Sequence, residues 1–119
     1  TAIEAAQMQV ESGGKFWKVG ANADRGLWQI TPVGWKAAGQ EVGLPPVVYH
    51  SQIWAAAHPV VHLPRVNLAA RRLVMKRWKR RSRGKVGPAL RAYNCGNKGL
   101  QRKCGAGYIE KIKTAGGSW

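Results

Sequence analysis

Residues 11–30 read ESGGKFWKVGANADRGLWQI, and two features of that stretch set the reading of the chain. Glu11 precedes a serine and two glycines in a protein that has only five acidic residues against twenty Lys and Arg. Fifteen residues beyond it, Gly26 leads into Leu27-Trp28-Gln29-Ile30. Upstream, residues 2–11 are helix-forming: Ile3, Ala6 and Val10 fall on one stripe, and Gly13-Gly14 ends the element. Glu11 therefore closes an apolar helix, one turn after Gln7 and near Met8, where packing partly desolvates it. Desolvation disfavours the charged carboxylate and keeps a proton available near neutrality, as a general acid requires. The glycines after it remove bulk and suit the close approach of a large substrate. On residue type alone the competing reading is a helix-terminal glutamate paired with one of many nearby cations.

Working outward, residues 15–26 contain Gly20, Gly26 and no hydrophobic period, which predicts an irregular loop or short hairpin. Thr31 caps and Pro32 opens a short helix through Trp35 towards Gly39. Residues 43–50 (GLPPVVYH) form a turn-rich connection, and Ser51 caps a second short helix, QIWAAAH, ended by Pro59. The longest helix is expected over residues 65–81, with Val66, Ala70, Leu73, Val74 and Trp78 as its apolar stripe and Gly84 just past its end. Pro88 opens PALRAYN, which Gly96 closes; after a glycine-rich loop, YIEKIKTA makes the last helix. With neither an alternating strand pattern nor an internal repeat, the fold class is all-α, built of short helices and long functional loops.

At 119 residues the chain is one domain, residues 1–119, with room for a modest core. Hydrophobic residues at 45% argue for a folded chain. No apolar run approaches the roughly 18 residues of a membrane span. The opening TAIEAAQMQVE reads as a helix already under way, so residues before Thr1 are expected to have been processed, cut away or part of a longer parent. The formal charge of +15 predicts attraction to polyanions. Nine Lys or Arg lie between Arg71 and Lys85, as a solvated helix face or a polyanion contact. Cys95 and Cys104 are nine positions apart, with no CxxC and no zinc set. In an oxidising compartment they would clip one loop, worth about 2–3 kcal/mol; in a reducing one they would be ordinary buried thiols. His58 and His62 have Pro59 between them and Pro64 just after, which spoils helical presentation of a metal pair. No metal site and no cofactor are expected, and no Gly-x-Ser-x-Gly elbow exists.

Glu11-Ser12, then Gly26-Leu27-Trp28-Gln29-Ile30 with Pro32, then Ala92-Tyr93-Asn94-Cys95-Gly96 together resemble the lytic transglycosylases of the lysozyme-like superfamily. LPRVN, ending at Asn67, resembles the Pro-x-x-Asn that opens the central helix in that family. The resemblance covers nearly the whole chain and implies a lysozyme-like fold of several short helices around one longer central helix, with a substrate cleft. It further implies cleavage of the bond between N-acetylmuramic acid and N-acetylglucosamine in peptidoglycan. Glu11 would protonate the glycosidic oxygen and then, as a carboxylate, take the proton from the muramoyl 6-hydroxyl that attacks C1. Ser12 and Gln29 would line the cleft, and Tyr93 and Asn94 would hold the saccharide or position Glu11. Trp28 and Trp17 are sugar-stacking candidates, with core packing the alternative for each. The cysteines would tie a loop beside the Tyr93-Asn94 edge, which favours the periplasm, the cell exterior or a virion. The partners implied are peptidoglycan glycan strands and, through residues 71–85, anionic polymers of the cell envelope, with the domain monomeric.

One position departs from the family pattern. Many members carry a small residue where this chain has Asp24, five positions before Gln29, and animal c-type lysozymes place their second catalytic carboxylate at that offset. Asp24 could therefore make the enzyme a hydrolase with water as acceptor; otherwise it pairs with Arg25 or caps a turn. From another class, a nucleic-acid-binding module would use MKRWKRRSRGK, which interleaves Trp78 with cations. No zinc finger or RNA-recognition signature accompanies it, and nothing clearly marks a helix-turn-helix. A catalytically dead wall binder would not need Glu11. Peptidoglycan cleavage by transglycosylation is the favoured reading, ahead of hydrolysis.

Overall fold

A computed structural model of the chain describes residues 1–39, 41 and 59–119. Among the described residues the helices are α1 (Ala2–Ser12), α2 (Pro32–Ala38), α3 (Pro64–Arg81), α4 (Val86–Cys95), α5 (Asn97–Leu100) and α6 (Ala106–Thr114), with a 3-10 turn at Pro59–His62. Among the described residues, extended pairing is limited to isolated antiparallel bridges of Arg25 with Val19 and with Ile30. The fold is mainly α. The expected turn at residues 43–50, the Ser51 cap and the helix over 52–58 lie outside the described residues.

Helix α1 starts on a capping box: Glu4 N donates to Thr1 Oγ1 at 3.1 Å, and the Thr1 amine donates to Glu4 Oε1 at 3.0 Å. It ends where Gly13 and Gly14 take φ of 62° and 82°, a left-handed pair that a side chain would strain. Helix α2 begins as its sequence predicts, with Thr31 Oγ1 accepting from Gly34 N at 3.1 Å and Pro32 in the first turn.

The chain divides into two compact units, one of Thr1–Val10 with Val74–Trp119 and one of Glu11–Leu73. In the first, Ala6, Met75, Ala89, Leu90, Tyr108 and Ile112 form a buried cluster, with Ile3, Val10, Trp78, Val86, Tyr93 and Ile109 packed around it. Gln7 is fully buried there, and its Nε2 donates to Tyr108 Oη at 2.9 Å, which removes the penalty of an orphaned buried amide. In the second unit the buried apolar residues, among those described, are Leu27, Trp28, Ile30, Trp35, Ala38, Val61 and Ala70.

Three local readings are corrected. The buried line of α3 runs through Asn67, Ala70, Arg71 and Met75, while Val66 and Leu73 are only half-buried. An apolar period cannot place two polar residues on the inward face, so the expected stripe is rotated by about one position. Helix α4 begins at Val86, ahead of Pro88, whose missing N–H falls in the first turn where no helical partner exists. The glycine-rich segment after Gly96 holds the extra turn α5. Gly99 makes that turn possible: a side chain there would run into the backbone of Arg91 and Ala92.

Candidate active site

The loop that follows α1 is built on Gly26. Its φ of 84° favours glycine, and a Cβ there would collide with the side-chain amide of Asn67. Asn67 is fully buried near the start of α3 and uses every group it has on the loop and the 3-10 turn. Its Oδ1 accepts from Trp28 N at 2.8 Å, and its Nδ2 donates to Arg25 O at 2.9 Å and Val61 O at 3.0 Å. One side chain therefore fixes residues 25–28 against the central helix. The Gly-Leu-Trp-Gln-Ile stretch is held by a polar latch inside an apolar surround, a setting that makes each hydrogen bond costly to lose.

Gln29 is buried, with a left-handed φ of 49°. Its Nε2 donates to Lys18 O at 3.1 Å and Gly26 O at 2.9 Å. Both partners are carbonyl oxygens, which settles the orientation of the amide and uses both of its N–H groups. Toward a ligand the Gln29 side chain can act only as an acceptor.

Lys18 is the residue that sequence reasoning missed. Its carbonyl accepts from Gly26 N at 3.0 Å as well as from Gln29, and its Nζ donates to Glu11 O at 2.8 Å. It thus ties the end of α1 to the Gly26–Gln29 turn within one unit. A cation at the carbonyl end of a helix also complements the helix dipole. Nothing in the sequence distinguishes Lys18 from the other nineteen Lys and Arg; only the fold of the loop brings it back to Glu11.

The predicted site residues fall as follows. Glu11 and Ser12 form the last turn of α1, Glu11 half-buried and Ser12 buried, with Ser12 Oγ accepting from Gly14 N at 3.2 Å. Trp28 is 6% exposed, which favours packing over sugar stacking, whereas Trp17 is 61% exposed. Asp24 Oδ1 accepts from Asn22 N at 3.1 Å, and its carboxylate lies against Gly20, where any side chain would displace it. Among the described residues Asp24 makes no ion pair with Arg25. Tyr93 and Asn94 lie in the other unit, at the end of α4: Tyr93 packs beside the Ala6–Ile112 cluster, and Asn94 is exposed. Immediately after them Cys95 is disulfide-bonded to Cys104, closing a loop around α5. Among the described residues no three His, Cys, Asp or Glu are grouped to hold a metal ion. No described helix is long and apolar enough to cross a membrane.

A mainly helical chain with a glutamate closing its first helix, and a latched Gly-Leu-Trp-Gln-Ile turn tied back to that glutamate, defines a lysozyme-like fold. Residues 3–115 match the family model of the transglycosylase SLT domain, and the chain belongs to that family. Its members are peptidoglycan lytic transglycosylases, enzymes that bind and cleave peptidoglycan outside the cytoplasm. No curated protein and no solved structure gives a significant match.

Proposed function

We propose that this chain is a single catalytic domain that cleaves the β-1,4 bond between N-acetylmuramic acid and N-acetylglucosamine by intramolecular transglycosylation, with Glu11 as both acid and base. The Glu11 carboxylic acid protonates the leaving glycosidic oxygen as its bond to C1 breaks. The resulting carboxylate then takes the proton of the muramoyl 6-hydroxyl as that oxygen bonds to C1. The product ends in 1,6-anhydromuramic acid, Glu11 is reprotonated, and no water is consumed. Ser12 and Gln29 line the saccharide path.

The observation that carries the choice of chemistry is the state of Asp24. Its carboxylate accepts a backbone hydrogen bond from Asn22 inside the 20–24 turn and lies against Gly20. This supports a turn-forming role and leaves Glu11 as the working carboxylate. The test is release of soluble fragments from purified peptidoglycan: Glu11→Gln is expected to lower the rate by about a hundredfold or more, with the fold intact by circular dichroism. Release that survives Glu11→Gln would sink the assignment.

The same reading places the domain in an oxidising setting outside the cytoplasm, supported by the Cys95–Cys104 bridge. Along α3, Arg72, Lys76, Arg77, Lys79, Arg80 and Arg81 are exposed while Arg71 is buried. The exposed cations support adsorption to anionic envelope polymers, which raises the encounter rate with the wall and weakens as salt rises.

A further inference from the structure

The charge of the chain is unevenly placed. The unit of Thr1–Val10 and Val74–Trp119 holds thirteen of the twenty Lys and Arg and only two of the five acidic residues, Glu4 and Glu110. Glu4 already pairs with the Thr1 amine at 3.0 Å. From Lys76 to Arg81 every residue but Trp78 is an exposed Lys or Arg. At about 3.6 residues per turn, these cations spread over more than half of the helix circumference. Trp78 fills the gap, half-buried against the apolar cluster.

A second element extends this face. Arg81 Nη1 donates to Asn97 Oδ1 at 3.2 Å, which sets the end of α3 beside the start of α5. The loop that the Cys95–Cys104 bridge closes carries three more exposed cations, Lys98, Arg102 and Lys103. Lys103 N donates to Lys98 O at 2.9 Å, so two of the three are drawn together. The loop is fastened to α4: Arg91 Nε donates to Gly99 O at 3.0 Å, and Gly99 lies against the backbone of Arg91 and Ala92. Arg81 is oriented too, with its guanidinium 5.3 Å from the centroid of the Trp78 ring. Cations on a fixed backbone bind at lower entropic cost than cations on a free tail.

We infer that Lys76–Arg81 of α3 and the α5 loop form one docking surface for a flexible phosphodiester polymer of the envelope, an alditol-phosphate chain. The inference rests on the proposed adsorption to anionic envelope polymers; it names their chemistry and adds α5 to the surface. Shape and charge select this occupant. A flat bilayer meets one side of a helix, whereas these cations surround more than half of it. Among the described residues of this unit, Trp119 is also the only large apolar side chain exposed, so the cation face has no wedge for insertion. Duplex DNA, with a persistence length of about 50 nm, is too stiff to wrap so narrow a helix. Single-stranded nucleic acid binds on aromatic stacking platforms, and Trp78 is occupied by the core and by Arg81. A flexible chain without bases can follow the cations around α3 and onto α5. Its tetrahedral phosphates accept donors from several directions, as Lys and Arg on two elements supply them, whereas a carboxylate accepts within one plane.

The test titrates soluble poly(glycerol phosphate) into the intact, disulfide-bonded chain, read by calorimetry. Poly-glutamate, duplex DNA and phosphatidylglycerol vesicles are titrated at the same ionic strength. The phosphodiester polymer is expected to bind about tenfold tighter than any of the three. A triple variant, Lys98→Gln with Arg102→Gln and Lys103→Gln, is expected to lose about tenfold of that affinity and to depend less steeply on salt. Lys98→Arg with Lys103→Arg keeps the charge and stays within about threefold. Circular dichroism identical to that of the unmutated chain excludes misfolding as the cause. Equal affinity for poly-glutamate overturns the choice of phosphate, and tighter binding of duplex DNA or vesicles reassigns the surface to them. Unchanged affinity in the triple variant removes α5. Fragment release from peptidoglycan stripped of phosphate polymers separates this inference from the cleavage reading. A chain that binds the polymer through α5 but releases no fragments keeps the surface and removes the catalytic assignment. An active chain that does not bind the polymer removes the surface alone.

Discussion

The ammonium of Lys18 donates a 2.8 Å hydrogen bond to the backbone carbonyl of Glu11, seven residues earlier and at the carbonyl end of α1. The bond holds the last helical turn, and with it the carboxylate, in register with the turn that carries Gln29. Lys18→Met is therefore expected to lower kcat by about two- to fivefold with little change in KM. Lys18→Arg, which can still reach the carbonyl, restores most of the loss. Steady-state kinetics on purified peptidoglycan checks both, and an equal fall for the two variants would indicate a general loss of structure.

Asn67 and Gly26 form the most consequential pair for stability. Asn67→Ala removes the Asn67 partner of Trp28 N and of Val61 O, and takes from Arg25 O one of its two hydrogen bonds, the other coming from Ile30 N. At about 1–3 kcal/mol for each orphaned group, the expected loss is about 2 kcal/mol or more. Gly26→Ala is expected to cost about 2–3 kcal/mol, because it forces a side chain into a left-handed residue and onto the Asn67 amide. Midpoints of urea unfolding at constant slope measure both. Against the 5–15 kcal/mol that holds typical domains together, either change is severe.

These latches show what the sequence could and could not disclose. Caps and breakers act locally, so Thr31-Pro32, Gly13-Gly14 and the ends of the long helix were readable within a residue or two. The hydrophobic period located α3 but not its rotation, because the inward face carries Asn67 and Arg71, whose burial depends on partners far along the chain. Glu11 drew notice as a carboxylate closing an apolar helix, but only the resemblance of the surrounding motifs raised it above a paired surface glutamate, and Gln29 and Tyr93 stood out through that resemblance alone. Lys18 carried no mark at all: its role comes from a loop that returns it to a residue seven positions away.

Asp24 separates two chemistries. Its Oδ1 accepts from Asn22 N, and Asp24→Asn retains that acceptor, so stability is expected to change by no more than about 0.5 kcal/mol. Under transglycosylation the variant keeps its rate on peptidoglycan within about threefold. Under a two-carboxylate hydrolysis it would lose about a hundredfold or more. Fragment release measured beside thermal unfolding distinguishes the two outcomes.

The Cys95–Cys104 bridge closes the loop that contains α5, directly after Tyr93 and Asn94. Cys95→Ser paired with Cys104→Ser is expected to lower stability by about 2–3 kcal/mol through the freed loop entropy of the unfolded chain. Reduction of the unmutated protein should reproduce the shift in unfolding midpoint, and the double variant should no longer respond to reductant.

The mass of the fragments released from purified peptidoglycan tests the central claim most directly. Products ending in 1,6-anhydromuramic acid, one water lighter than reducing-end products and absent from the Glu11→Gln reaction, are the predicted result. Reducing-end products that disappear with Asp24→Asn would contradict it and make this chain a hydrolase with two working carboxylates.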